Sequence, residues 1–129
     1  MLTMFIKGLA IFLVIDILWI KFVSYPLYQK AIGKFLNPLM SDPSLLIAAF
    51  GVYILLVLGI VVFVMPLTKD MNYLHSGLYG GLYGLIAYGV FALTNYSVLS
   101  IWTVELLICD LVWGLIIGSI VTLALKALS

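Results

Sequence analysis

The chain has 129 residues, 66% of them hydrophobic and 9% charged, with a net charge of +1 and a mean hydropathy of +1.32. Soluble domains run at roughly 45–50% apolar and about 25% charged, so this composition excludes an ordinary soluble fold and identifies a membrane protein. The basic residues are six lysines scattered along the chain, which excludes a nucleic-acid surface, and Cys109 is alone, which excludes an intrachain disulfide.

A hydrocarbon core about 30 Å thick takes roughly 20 apolar residues in a helix. Four stretches meet this requirement, at residues 4–23, 45–65, 74–95 and 102–125. They predict an all-α protein: an integral membrane four-helix bundle forming one four-span domain over residues 1–129. The first stretch is too long for a signal h-region, carries Asp16 and is not followed by a small-residue cleavage site, so it is expected to be retained.

Between the first and second spans lies the only long connection, "SYPLYQKAIGKFLNPLMSDPS". Leu27, Tyr28, Ala31, Ile32, Phe35 and Leu36 recur there at helical spacing, opposite Gln29, Lys30, Gly33 and Lys34. This predicts an interfacial amphipathic helix over about 26–36. Pro26 suits its first turn, Asn37-Pro38 stops it, and Ser41 or Asp42 can cap the second span ahead of Pro43. The favoured reading is a helix lying flat to join two spans; the sharper one is a lid over a cavity.

In the third span, Gly77, Gly81, Gly84, Tyr88, Phe91 and Asn95 follow one another at steps of three and four, which places them on one stripe. Its glycine half permits close backbone approach, making this helix the expected packing spine. Gly80 and Gly84 form a second small-xxx-small pair that could serve a homodimer. The short connection "YSVLSIW" makes the third and fourth spans antiparallel neighbours.

An even number of spans puts both termini on one side. Lys7, Lys69 and Lys126 then face that side, against Lys21, Lys30 and Lys34 on the other. We take the termini as cytoplasmic and the amphipathic helix as lying on the outer leaflet.

Two acids lie inside the spans. At 1.5 Å per residue, Asp16 sits about 4 Å past the midpoint of the first span and Asp110 about 5 Å before that of the fourth. Because the two helices run in opposite directions, both acids fall in the same half of the bilayer, with Tyr53 and Tyr88 about 3 and 5 Å from the midplane on that side. Asn95 and Glu105 lie nearer the same surface. An ionised Asp exposed to lipid costs about 2.5–3.5 kcal/mol, so both should face the bundle or a wet cavity. Trp19 and Trp113, each three residues after an acid, can share that space. The expected ligand or proton site is therefore Asp16, Trp19, Tyr53, Tyr88, Asn95, Asp110 and Trp113, with the acids meeting at equal depth and titrating as a unit. Glu105 reads as a solvated interfacial group and His75 as interfacial at the opposite surface. No metal-ligand spacing, nucleophile-base motif or phosphate loop occurs, so no metal, cofactor or catalytic residue is expected, and a non-enzymatic role is favoured.

The ordered set "DILWI", "YPLYQKAIG", "YGLIAYGVFALTN" and "DLVWG" resembles the bacterial membrane family termed domain of unknown function 2177 (DUF2177) over nearly the whole chain. The resemblance implies a four-span protein of the bacterial inner membrane. It points to Asp16, Trp19, Tyr28, Thr94, Asn95, Asp110 and Trp113 as motif positions, and carries no assigned activity. It also implies an acid where this chain has Ala92, so this member would lack whatever that acid does. The leading expectation is binding or proton-linked translocation of a small substrate at an Asp16/Asp110 pocket. The alternatives are a non-catalytic membrane subunit and, less favoured, a lipid-modifying enzyme. Expected partners are the lipid bilayer, a second copy of the chain or another membrane protein, and a small ligand.

Overall fold

The computed structural model describes residues 1–37 and 42–129, and all of its regular elements are helical. In chain order these are α1 (Leu2–Trp19), a π-turn (Ile20–Ser24), α2 (Tyr25–Ile32) and a short 3-10 turn (Gly33–Phe35). There follow α3 (Pro43–Gly59), a second π-turn (Ile60–Val64), α4 (Met65–Thr68), α5 (Tyr73–Val98) and α6 (Val104–Leu128). Merged across the π-turns they make four helices long and apolar enough to cross a membrane: Leu2–Phe35, Pro43–Thr68, Tyr73–Val98 and Val104–Leu128. The Pro38 stop and the Ser41 cap expected from sequence lie outside the described residues.

The amphipathic segment is not set apart from the first span, as the sequence suggested, but continues it. Proline lacks an N–H, and its ring pushes against the carbonyl four residues back, which normally breaks a helix. Here the turn before Pro26 is a π-turn in which the Tyr25 N–H donates to the Ile20 carbonyl, five residues back. The widened backbone accommodates the ring without ending the helix. The same device precedes Pro66, where the Met65 N–H reaches the Ile60 carbonyl.

One face of each long helix is buried. Phe12, Val57, Ile60, Val61, Trp113, Ile117 and Val121 form the main core between α1, α3 with its π-turn, and α6. Ile47 and Leu55, by contrast, are 74% and 68% exposed. In water such residues would be an aggregation surface; around a membrane bundle they form the lipid-facing belt.

The tightest contact is between α5 and α6. Gly80 lies against Gly118 and Gly84 against Gly114, so closely that a Cβ on Gly84 would run into the Gly114 carbonyl oxygen. Gly77 and Gly81 meet α6 beside them, and Ser119 donates a 2.9 Å hydrogen bond to the Gly77 carbonyl. The expected spine is thus present. The Gly80/Gly84 pair, considered above as a homodimer face, is filled within the chain.

Helix ends are satisfied locally. The Ser44 backbone N–H and hydroxyl each lie 2.8 Å from Asp42 Oδ1, which caps α3 and holds the Asp42 carboxyl below its usual range. Asn72 and Thr103 cap α5 and α6 in the same manner. Lys126 reaches back from the last turn of α6 to the Thr68 and Lys69 carbonyls, at 3.2 and 3.5 Å. This ties the end of α6 to the α4–α5 corner.

Four crossings place the Asp70 corner and the Lys34 turn on opposite membrane faces. Both residues are exposed. In a background with Cys109 replaced by Ala, cysteines introduced at positions 34 and 70 should label with an impermeant thiol reagent from opposite sides; labelling from one side would refute the topology.

Candidate functional site

Asp16 comes from the buried face of α1 and is 6% exposed; Asp110, nearly two turns into α6, is also 6% exposed. A carboxyl at such a position needs donors. Asp16 has two: the Tyr53 hydroxyl of α3 at 2.6 Å from Oδ2, and the Trp113 indole N–H of α6 at 2.7 Å from Oδ1. Asp110 has the Tyr28 hydroxyl of α2 at 2.5 Å. Three helices therefore converge on Asp16, while Asp110 fastens the continuation of the first helix to the start of the last.

The aromatic groups are held as firmly. Trp19 stacks on Trp113 with ring centroids 4.2 Å apart and planes 5° from parallel. Such offset or parallel stacking adds about 0.5–1.5 kcal/mol beyond area burial in favourable cases. Tyr28 and Phe91 meet the Trp102 ring edge-on, at 5.4 and 5.8 Å. Beneath α2, Ile32, Trp102 and Leu106 form a second small core with Leu27, Tyr28, Ala31 and Leu36 against it. The apolar face of the amphipathic segment is thereby turned into the bundle, Phe35 excepted, which is 57% exposed.

Both acids line one cavity of about 310 Å³, together with Trp19, Tyr28, Tyr88 and Trp113. Ser24, Tyr25, Leu36 and Asn37 border it from the α2 side. Tyr88 lies within electrostatic reach of Asp16 and Asp110 alike.

Of the seven residues expected at the site, Asp16, Trp19, Tyr88, Asp110 and Trp113 line this cavity. Tyr53 backs it through its bond to Asp16. Asn95 does not take part: it is half-buried further along α5, outside the cavity lining. The stripe on α5 divides at Tyr88, its glycines packing on α6 and Tyr88 and Phe91 facing the cavity.

Asp16 and Asp110 are held by separate donors. They share the cavity, but among the described residues no hydrogen bond joins them. Trp113, a donor to Asp16, lies three residues beyond Asp110 on α6.

Sequence reasoning gave Tyr28 no role in the site from its own pattern. The available signal was its place on the apolar face of the amphipathic segment, which could only face lipid or the bundle. Glu105 is exposed in the first turn of α6, and His75 is exposed with its ring 2.8 Å from Asn72 Oδ1, in keeping with the interfacial roles expected.

Chemically, the arrangement offers two acids, several phenols and an indole stack around one cavity. Such a set can hold and move protons and can bind a small molecule. Among the described residues no cluster of His, Cys, Asp or Glu is placed to hold a metal ion.

Comparison with curated proteins and with solved structures finds no significant match. A family model described as a predicted membrane protein matches residues 1–126, nearly the whole chain. With four membrane-length helices and the ordered motifs in place, the chain belongs to the DUF2177 family of multi-pass membrane proteins.

Proposed function

We propose that this protein binds a small substrate in the cavity shared by Asp16 and Asp110 and couples its binding, and by extension its passage, to proton exchange on those carboxyls. The observation that carries this reading is the presence of two carboxyls on one cavity whose lining, among the described residues, contains no lysine or histidine. With no basic partner, each acid holds either a proton or an uncompensated charge, and exchange between those states is the chemistry such a site can perform. Inter-helix hydrogen bonds in membranes average only about 0.6 kcal/mol, so bracing helices is a weak reason to retain two acids here.

The same reading assigns the protein to the bacterial inner membrane with cytoplasmic termini, so that the cavity opens toward the outer leaflet. The even span number places both termini on one side, and the matching family is one of predicted membrane proteins.

The test is pH-dependent binding or flux of small solutes in proteoliposomes. Activity should be lost in both Asp16→Asn and Asp110→Asn; the amide oxygen can still accept from Trp113 or Tyr28 respectively, and at position 16 the amide N–H can donate to the Tyr53 hydroxyl. Flux that persists in both variants would overturn the reading.

A second reading, a non-catalytic membrane subunit, is favoured by one observation: both Asp16 oxygens already have donors within the chain. Stable co-purification of a partner that survives both substitutions would support it.

A further inference from the structure

We propose that the ligand of this cavity is a compact organic cation, an ammonium carrying apolar substituents, which enters as one carboxyl gives up its proton to water. The inference rests on the reading of the cavity as a binding site and adds the chemical class of what it binds.

Charge comes first. The titratable groups lining the cavity are Asp16 from α1, Tyr25 and Tyr28 from α2, Tyr88 from α5 and Asp110 from α6, with Tyr53 of α3 behind Asp16. Among the described residues, every donor to the two carboxyls is a neutral hydroxyl or indole N–H. The wall can therefore become negative but has no lysine or histidine with which to become positive. An anionic ligand would add charge to a site already rich in acid; a neutral one would leave any ionised acid without compensation. A monocation exchanged for one proton leaves the total charge of the cavity unchanged, with one carboxyl O–H bond broken and that proton passed to solvent.

The rest of the wall selects among cations. Trp19, Trp113, Tyr25, Tyr28, Tyr88 and Phe91 bring aromatic rings to the same space. Small hard cations such as calcium require about six to eight oxygen ligands to replace their water. Beyond its two carboxyls and phenols this wall adds only Ser24 and Asn37, on its α2 border, as oxygen donors and is otherwise aromatic and aliphatic. Ring faces attract a weakly hydrated ammonium by about 0.5–2 kcal/mol each, and the attraction grows on desolvation. A volume of about 310 Å³ lies at the small end of ligand cavities, which limits the body to something compact.

The probe is benzyltrimethylammonium, compared with its uncharged carbon isostere neopentylbenzene and with the anion benzoate. Binding is read by tryptophan fluorescence of the full chain in lipid nanodiscs, and proton release by an indicator dye in weak buffer. Benzyltrimethylammonium should bind saturably, more tightly as pH rises, with proton release. Neopentylbenzene should not compete with it. Trp19→Leu should weaken the cation by about five- to thirtyfold, the equivalent of roughly 1–2 kcal/mol.

If neopentylbenzene or benzoate binds as well as the cation, and that binding still depends on pH and on both acids, the cation class is wrong while the binding-site reading stands. If the compounds bind equally in wild type and in both Asp→Asn variants, or none binds to folded protein, the cation class falls; indifference to both acids also defeats the binding-site reading.

Discussion

Gly84→Leu should prevent the bundle from holding together, and even Gly84→Ala should destabilise it by about 1–3 kcal/mol, the usual range for overpacking a close contact. The direction is informative because an alanine in a helix interior is ordinarily better than glycine by about 1 kcal/mol. At Gly84 that gain is overwhelmed: the added methyl meets the Gly114 backbone, which cannot rotate away as a side chain could. Gly51 supplies the control, since nothing lies within 4 Å of a Cβ added there. Gly51→Ala should be neutral or slightly stabilising. Thermal unfolding in detergent, followed by helical circular dichroism and by size exclusion, reads both. Equal stability of the Gly84 and Gly51 variants would show that α5 and α6 do not approach as described.

The glycine contact also shows how far the sequence could be read. Gly77, Gly81 and Gly84 announce a close-packing face on the third span, and the short connection to the fourth names its neighbour, whereas Gly80, which suggested a homodimer pair with Gly84, packs on α6 as well. The other half, Gly114 and Gly118 in "WGLIIGS", is the same four-residue spacing but sits in a run so apolar that it reads simply as span. Periodicity reveals which face is small; it does not reveal what fills the gap. The helix that passes through Pro26 was hidden for a different reason. Proline is a helix breaker by its local chemistry, and only the five-residue hydrogen bond from Tyr25 to Ile20, a property of the folded backbone, lets it pass.

For the site, residue type and depth identified Asp16, Trp19, Tyr88, Asp110 and Trp113 as candidates for one compartment, and the structure gathers them on one cavity. Asn95 shows the limit of helical phase: it shares the stripe of Tyr88 but lies too far along the axis. Tyr28 shows the converse. It is twelve residues beyond Asp16 in sequence, yet α2 turns its apolar face inward and brings the hydroxyl to Asp110. Tertiary packing, which no local pattern specifies, made that contact.

The second large effect concerns the acids themselves. Asp16 and Asp110 have separate donors, so either can be replaced by asparagine with its neighbour's hydrogen bonds largely kept. What such a replacement removes is the charge that the other acid feels across the cavity. At an effective dielectric constant of about 20, two unit charges roughly 8 Å apart interact by about 2 kcal/mol, or roughly 1.5 pH units. Groups coupled so strongly titrate as a pair. The central claim, that these two acids form one site, is tested most directly by infrared difference spectroscopy of the carboxyl bands across a pH titration of wild type, Asp16→Asn and Asp110→Asn. The account predicts that each substitution moves the titration of the remaining acid by about one to two pH units. An Asp16 band that titrates identically with and without Asp110, and an Asp110 band equally indifferent to Asp16, would contradict it.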